Sequence, residues 1–192
     1  MTPVQRKLAI ITSMGKKYSG MLDVPNESFR TTDLLNSSNI YWRNPNEKCY
    51  DNAIMMHDVD LYIDKTSVYK RYKKIQIKVP EIVYFYDEFE RLGDEMEKKR
   101  AVTIAQGVKE QAQQVHIITT MVANSFYDIS GLFFGLFRKK SLNNFVPLNQ
   151  VTMREIYQRD GTWKKKELTI PYGFIGVSNN HIESITLEET DL

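Results

Sequence analysis

The sequence predicts a mainly β protein with a helical connector, organised as two small antiparallel β-barrels in tandem. Three observations carry that expectation: side chains alternate with period two in several stretches, an Asp-Gly dipeptide separates two of them, and Asp87 to Gln113 changes to helical spacing.

Val59, Leu61 and Ile63 alternate with Asp60, Tyr62 and Asp64; Ile75, Ile77 and Val79 alternate with Lys74, Gln76 and Lys78. Leu168, Ile170 and Tyr172 alternate with Glu167 and Thr169. Successive side chains of a strand point to opposite faces, so each stretch buries one face and wets the other. Asp160-Gly161 stands between Val151–Tyr157 and Trp163–Ile170, and both residue types accept the positive φ of a two-residue hairpin turn.

The tandem arrangement follows from an echo. Ile10-Ile11-Thr12 recurs at Ile117, Ser19-Gly20 at Ser130-Gly131, Phe29-Arg30 at Phe137-Arg138, and Leu34 and Asn36 at Leu142 and Asn144. Val59-Asp60-Leu61 is answered by Val151-Thr152-Met153, and Lys73 to Ile77 by Lys165 to Ile170 with one residue added. The collinear matches define a first copy over 1–87, with a polar, turn-rich insert at about 41–52, and a second over 113–192. Two copies are too few for a solenoid, so each is expected to form its own closed unit. Between them, over 88–112, Phe89, Leu92 and Met96 recur at helical spacing, and Asp94 and Glu95 precede Lys98 and Lys99 by one turn.

A half-buried sheet of five short strands has two open edges, and curling it into a small barrel removes them. The first copy carries a strand, Gly15, then Ser19-Gly20-Met21-Leu22 with Asp23 and Asn26 behind it; the second carries Phe174-Ile175-Gly176 followed by Asn180 to Ile185. In these features each copy resembles the Sm-like (LSm and Hfq) barrel family, which implies a small antiparallel barrel that associates through its strand edges. Asp23 and Asn26 stand closer to the glycine than in that family, and Ile175 occupies a position where it carries a basic residue. The resemblance therefore implies the fold and not the family's pocket for single-stranded RNA.

Composition bounds the function. The chain is 42% apolar and 26% charged, with a formal net charge of +2 that gives no global pull on polyanions. No apolar run approaches the roughly 20 residues of a membrane helix, and no export signal is visible. Cys49 is the single cysteine, which suits a reducing, cytoplasmic setting. His57, His116 and His181 are scattered, without metal-ligand spacing, and no phosphate-cradling or nucleophile motif occurs; Gly131 to Gly135 lacks the strand-turn-helix context. The expectation is a chain without metal, cofactor or catalytic site.

What remains is charge placement. Tyr69-Lys70-Arg71-Tyr72-Lys73-Lys74 and Trp163-Lys164-Lys165-Lys166 mix aromatics with cations on the hairpins leading into the fourth strands, where lysines could neutralise phosphates while bases stack on the rings. Lysines on exposed strands equally guard against edge-to-edge aggregation and pack their stems over aromatics. Phe133, Phe134 and Phe137 are apolar enough for an interface. The reading is a binding or scaffolding module with a protein partner or self-association, nucleic acid being the second candidate.

Overall fold

The structure is a computed structural model that describes residues 4–26, 30–37, 52–64, 66–87, 112–134 and 144–189. The connector over 88–111 and the insert at about 41–51 lie outside them; Ala112 already belongs to a strand. The described chain is mainly β. In its first half β1 (Val4–Thr12), β2 (Lys17–Val24), a short helix α1 (Thr31–Asn36), β3 (Ala53–Tyr62), β4 (Val68–Lys78) and β5 (Ile82–Asp87) follow in order. The second half contains β6 (Ala112–Thr119), β7 (Ser125–Phe134), β8 (Phe145–Arg159), β9 (Thr162–Leu168), β10 (Phe174–Ser178) and β11 (Ile182–Glu189).

All pairings are antiparallel, and the strands join in one sheet of order β11-β6-β7-β8-β10-β5-β1-β2-β3-β4, with β9 also on β8. The sheet does not close on itself, so two separately sealed barrels are not what is seen. The reason lies at the centre: the outer edge of β5, which would have to reach β4 to seal the first unit, is taken by β10 through Gly176↔Phe85 and Val177↔Tyr84.

Each half nevertheless keeps its own core. One cluster contains Leu8, Ile10, Leu22, Ile54, Met56, Ile77 and Phe85, with Leu34 and Leu35 of α1; the other contains Val115, Ile117, Tyr127, Ile129, Leu148, Met153 and Ile175. They exchange a few side chains: Phe145 enters the first, and Ile11, Val83 and Tyr84 enter the second. Adjacent residues of β1 and β5 thus face different cores, which is why Leu8 to Ile11 and Ile82 to Phe85 are apolar runs rather than alternating ones. The short helix, absent from the sequence expectation, is anchored by Arg6, whose Nη1 donates to Thr31 Oγ1 at 2.9 Å; that hydroxyl donates to Asp87 Oδ1, also at 2.9 Å.

The two halves repeat their irregularities as well as their strand order. Ser19 pairs Asp60 and Met21 pairs His57, so Gly20 faces two residues, Asp58 and Val59, the first with φ of 46°. Ser130 pairs Thr152 and Leu132 pairs Asn149, so Gly131 faces Gln150 and Val151, the first with φ of 51°. Both are bulges opposite a glycine. A Cβ on Gly20 would stand 2.6 Å from Val59 Cγ2 and 2.8 Å from the His57 carbonyl; on Gly131 it would stand 3.2 Å from Val151 Cγ2 and 3.0 Å from the Asn149 carbonyl. A further slip recurs where β1 meets β5 and where β6 meets β11.

Asp160-Gly161 forms the expected two-residue turn, with φ of 52° and 71°, between β8 and β9. The fourth strands correspond differently from the sequence expectation. Ile77 pairs Ile54 just before the 3-10 turn Val79–Glu81, and Val177 pairs Val146 just before the 3-10 turn Asn179–His181. The counterpart of Lys73 to Ile77 is therefore Gly173 to Val177, not Lys165 to Ile170. An alternating string matches itself after any even slip, so the sequence pattern alone left the register open.

Candidate interaction surface

The first cation-rich strand, β4, is the terminal strand of the sheet and pairs only with β3 among the described strands. Lys70, Arg71, Lys73 and Lys74 are exposed, and Tyr69 is 67% exposed, whereas Tyr72 is half-buried. Cations of this strand are already engaged within the sheet. Arg71 Nε donates to Asp60 Oδ1 at 2.9 Å, and the Lys70 ammonium lies 5.1 Å from the centre of the Tyr72 ring. Burial, and to a lesser degree neighbouring Tyr72, pushes the Tyr18 phenol above its ordinary value.

The second run lies on β9. Trp163, 53% exposed, meets Phe126 edge-on at 5.7 Å between centroids, and Lys164, Lys165 and Lys166 are exposed opposite Tyr157, Ile156 and Glu155. Beside them Arg154 Nε donates to Glu167 Oε1 at 2.7 Å, which raises the guanidinium further above its already high value. The pairing register separates the two runs. Lys74 stands across from His57, at the bulge, whereas Lys165 stands across from Ile156, well beyond the corresponding bulge at Gln150. The hairpin bearing β9 extends past the point where β3 ends, so the basic runs are not equivalent positions of two copies. In the sheet β10, β5, β1, β2 and β3 lie between β8 and β4.

Phe133 is a core position, 9% exposed in the second cluster, because β7 turns it inward towards that core. Phe134 ends β7, and Phe137 lies outside the described residues, as does Cys49. The histidines are dispersed, His57 beside a carboxylate and His116 and His181 in hydrogen bonds. His57 Nε2 is 3.4 Å from Asp23 Oδ2, His116 Nδ1 is 2.8 Å from Ser130 Oγ, and His181 Nε2 is 3.0 Å from the Pro80 carbonyl, an arrangement that needs an Nε2–H donor. Among the described residues no three His, Cys, Asp or Glu side chains gather closely enough to hold a metal ion, and no helix is long and apolar enough to cross a membrane.

The built contact in the molecule is the seam between the halves. Phe85 is fully buried there, lying over Gly176 and meeting Phe145 and Phe174 at centroid distances of 5.2 and 6.5 Å. The Asn36 side chain brackets one residue of β8, its Nδ2 donating to the Phe145 carbonyl at 3.1 Å and its Oδ1 accepting from the Phe145 amide at 2.8 Å. Across the seam Tyr84 packs edge-on against Tyr127 at 5.0 Å, and burial, reinforced by that neighbour, pushes its phenol well above the ordinary range. Asn36 was legible as part of the echo and Gly176 as part of the barrel resemblance, but nothing in their spacing showed that they meet the other half. The chain matches no family model, and no curated protein or solved structure matches it.

Proposed function

We propose that this chain is a non-enzymatic binding or scaffolding module of a reducing compartment, built from a duplicated Sm-like barrel unit, each copy left open, and acting through protein–protein contact. The observation that carries the reading is the seam: two β units with the same strand order and bulges are held edge to edge by β5 and β10, so the chain already uses its strand edges as contact surfaces. Edge pairing supplies main-chain hydrogen bonds, and side chains such as Phe85 supply apolar burial.

A second reading, binding of single-stranded RNA or DNA, is favoured by the exposed rings of Tyr69 and Trp163 among lysines. The two are separated by one pair of measurements. Co-purification of the full chain from its native cells at physiological salt is expected to retain a protein partner, itself or another, after nuclease treatment. Anisotropy titrations with single-stranded oligonucleotides are expected to show no binding at low salt. Tight oligonucleotide binding, falling steeply with salt and lost on replacing Lys73, Lys74, Lys165 and Lys166, would establish the second reading instead.

A further inference from the structure

We propose that the chain docks on the surface of an anionic lipid bilayer through one row of turns, which puts apolar side chains into the hydrocarbon boundary and cations among the headgroups. The inference goes beyond the protein-contact reading and does not depend on it.

Four turns, two from each half, make up the row. Lys17, which opens β2, pairs with Tyr62, which ends β3, and its ammonium lies 5.5 Å from the centre of that ring, so the β1–β2 and β3–β4 turns stand side by side. A Cβ on Gly15 would stand 3.0 Å from Ala123 Cβ, which sets the β6–β7 turn of the second half against the β1–β2 turn of the first. On its other flank the Asn124 carbonyl accepts from the Gln158 amide at 3.4 Å, and Gln158 pairs with Trp163, so the β8–β9 hairpin completes the row.

Large apolar side chains exposed singly are ordinary on a folded surface, because polar atoms cannot cover it all. Here they gather. Among the described residues seven are exposed, and six of them, Met14, Ile63, Val68, Tyr69, Met121 and Trp163, lie on these turns or on the strand ends beside them. The seventh, Ile185, is set back on β11 opposite Ile117. Local structure explains why the methionines face outward. Met14 sits in the tight turn that the Thr12 amide closes onto the Lys16 carbonyl at 3.0 Å. Met121 precedes Val122, which is buried and bridges Ser125, so alternation sends Met121 to the other side. Apolar groups collected in this way mark an interaction site.

Cations run through the same row. Lys16 and Lys17 stand in the middle, Lys70 and Arg71 follow Tyr69 at one end, and Arg159 and Lys164 flank the Asp160-Gly161 turn at the other. The acids among them are engaged: Asp60 holds Arg71, Asp64 accepts from the Thr66 and Ser67 amides, Glu81 accepts from the Ser13 hydroxyl, and Asp160 lies 3.7 Å from Arg159. This combination selects the partner. Met14, Ile63, Val68 and Met121 offer no ring for a nucleotide base to stack on, so a single strand would leave them in water. An anionic bilayer takes all three kinds of group: aliphatic chains enter the acyl boundary, Tyr69 and Trp163 suit the headgroup level, and lysines meet lipid phosphates. The chain lies on such a surface without crossing it, so the contact is reversible and sensitive to salt.

Flotation of the full chain with lipid vesicles tests this. Vesicles of phosphatidylcholine mixed with phosphatidylglycerol are expected to carry the protein at low salt and release it as salt rises, while phosphatidylcholine alone carries little. Met14→Ser and Met121→Ser are each expected to weaken partitioning roughly 3- to 10-fold, because each withdraws an apolar side chain from the hydrocarbon boundary. Lys70→Gln and Lys164→Gln should each weaken it about fivefold, and Ile185→Ser should leave it unchanged. A second readout needs no variant: in bicelles of the same lipids, a nitroxide-bearing lipid should broaden the amide NMR signals of Met14, Tyr69 and Met121 before that of Ile185. Absence of flotation at low salt, flotation indifferent to lipid charge or to both methionine variants, or broadening centred away from these turns overturns the proposal. Binding of single-stranded oligonucleotides without binding of vesicles overturns it in favour of the nucleic-acid reading. A chain that ignores vesicles yet retains a protein partner leaves the protein-contact reading standing, and only the bilayer assignment falls.

Discussion

Replacing Gly176 by alanine tests the seam at its tightest point. An added Cβ would overlap the Cε1 and Cζ atoms of the Phe85 ring, and that ring has little room to retreat because Phe145 and Phe174 flank it and it is fully buried. Forcing one extra carbon into a packed site costs about 1–3 kcal/mol, which for a chain of this size corresponds to a fall in Tm of roughly 2–12 °C. The backbone conformation of Gly176 is not the source, since its φ is not among the positive values. The cost should therefore belong to the pair. Phe85→Leu is expected to destabilise alone by leaving a void, yet in its presence Gly176→Ala should cost about 1–2 kcal/mol less than in the parent. Thermal and urea unfolding of the four proteins gives this double-mutant cycle. Equal costs of Gly176→Ala in both backgrounds, or an unchanged Tm for the single variant, would refute the account of the seam.

Two further outcomes follow from the geometry. Gly20→Ala should destabilise more than Gly131→Ala, by about 1 kcal/mol or more in urea unfolding, because the first Cβ meets Val59 at 2.6 Å and a carbonyl at 2.8 Å whereas nothing stands closer than 3.0 Å to the second; equal losses would show that the bulges are not held as described. In the turn after β3, the Asp64 carboxylate accepts from the Thr66 and Ser67 amides at 3.0 Å and from the Ser67 hydroxyl, which holds its pKa well below the ordinary carboxylate range. A depressed folded value stabilises the turn above the unfolded pKa of about 3.9 and loses that effect as pH falls through the folded value. An NMR titration should find this carboxyl ionised below pH 3.9, with the Thr66 and Ser67 amides losing protection only under stronger acid; titration at or above 3.9 would contradict it.

Local chemistry made much of the chain legible before any fold was known. Alternation marks β4 because Ile75 and Ile77 must leave water while Lys74 and Lys78 must not, and Asp160-Gly161 marks its turn because both residues adopt positive φ at little cost. The paired Ser-Gly echo marks both bulges, since each needs a residue without a Cβ. Ile63, counted with β3 in the pattern, lies beyond the strand and is 53% exposed, because alternation does not say where pairing stops.

Residue pattern alone set which alternating stretches extend, which of their faces is apolar and where Asp160-Gly161 turns the chain, because these depend on side-chain volume, polarity and φ within a few residues. It took the tertiary packing to place β10 on the open edge of β5, Phe85 over Gly176, and the cation-rich β4 at one end of the sheet with β9 on β8. Backbone amides and carbonyls along a strand edge are the same for every sequence, so choosing among edges is left to packing and charge between residues far apart in the chain.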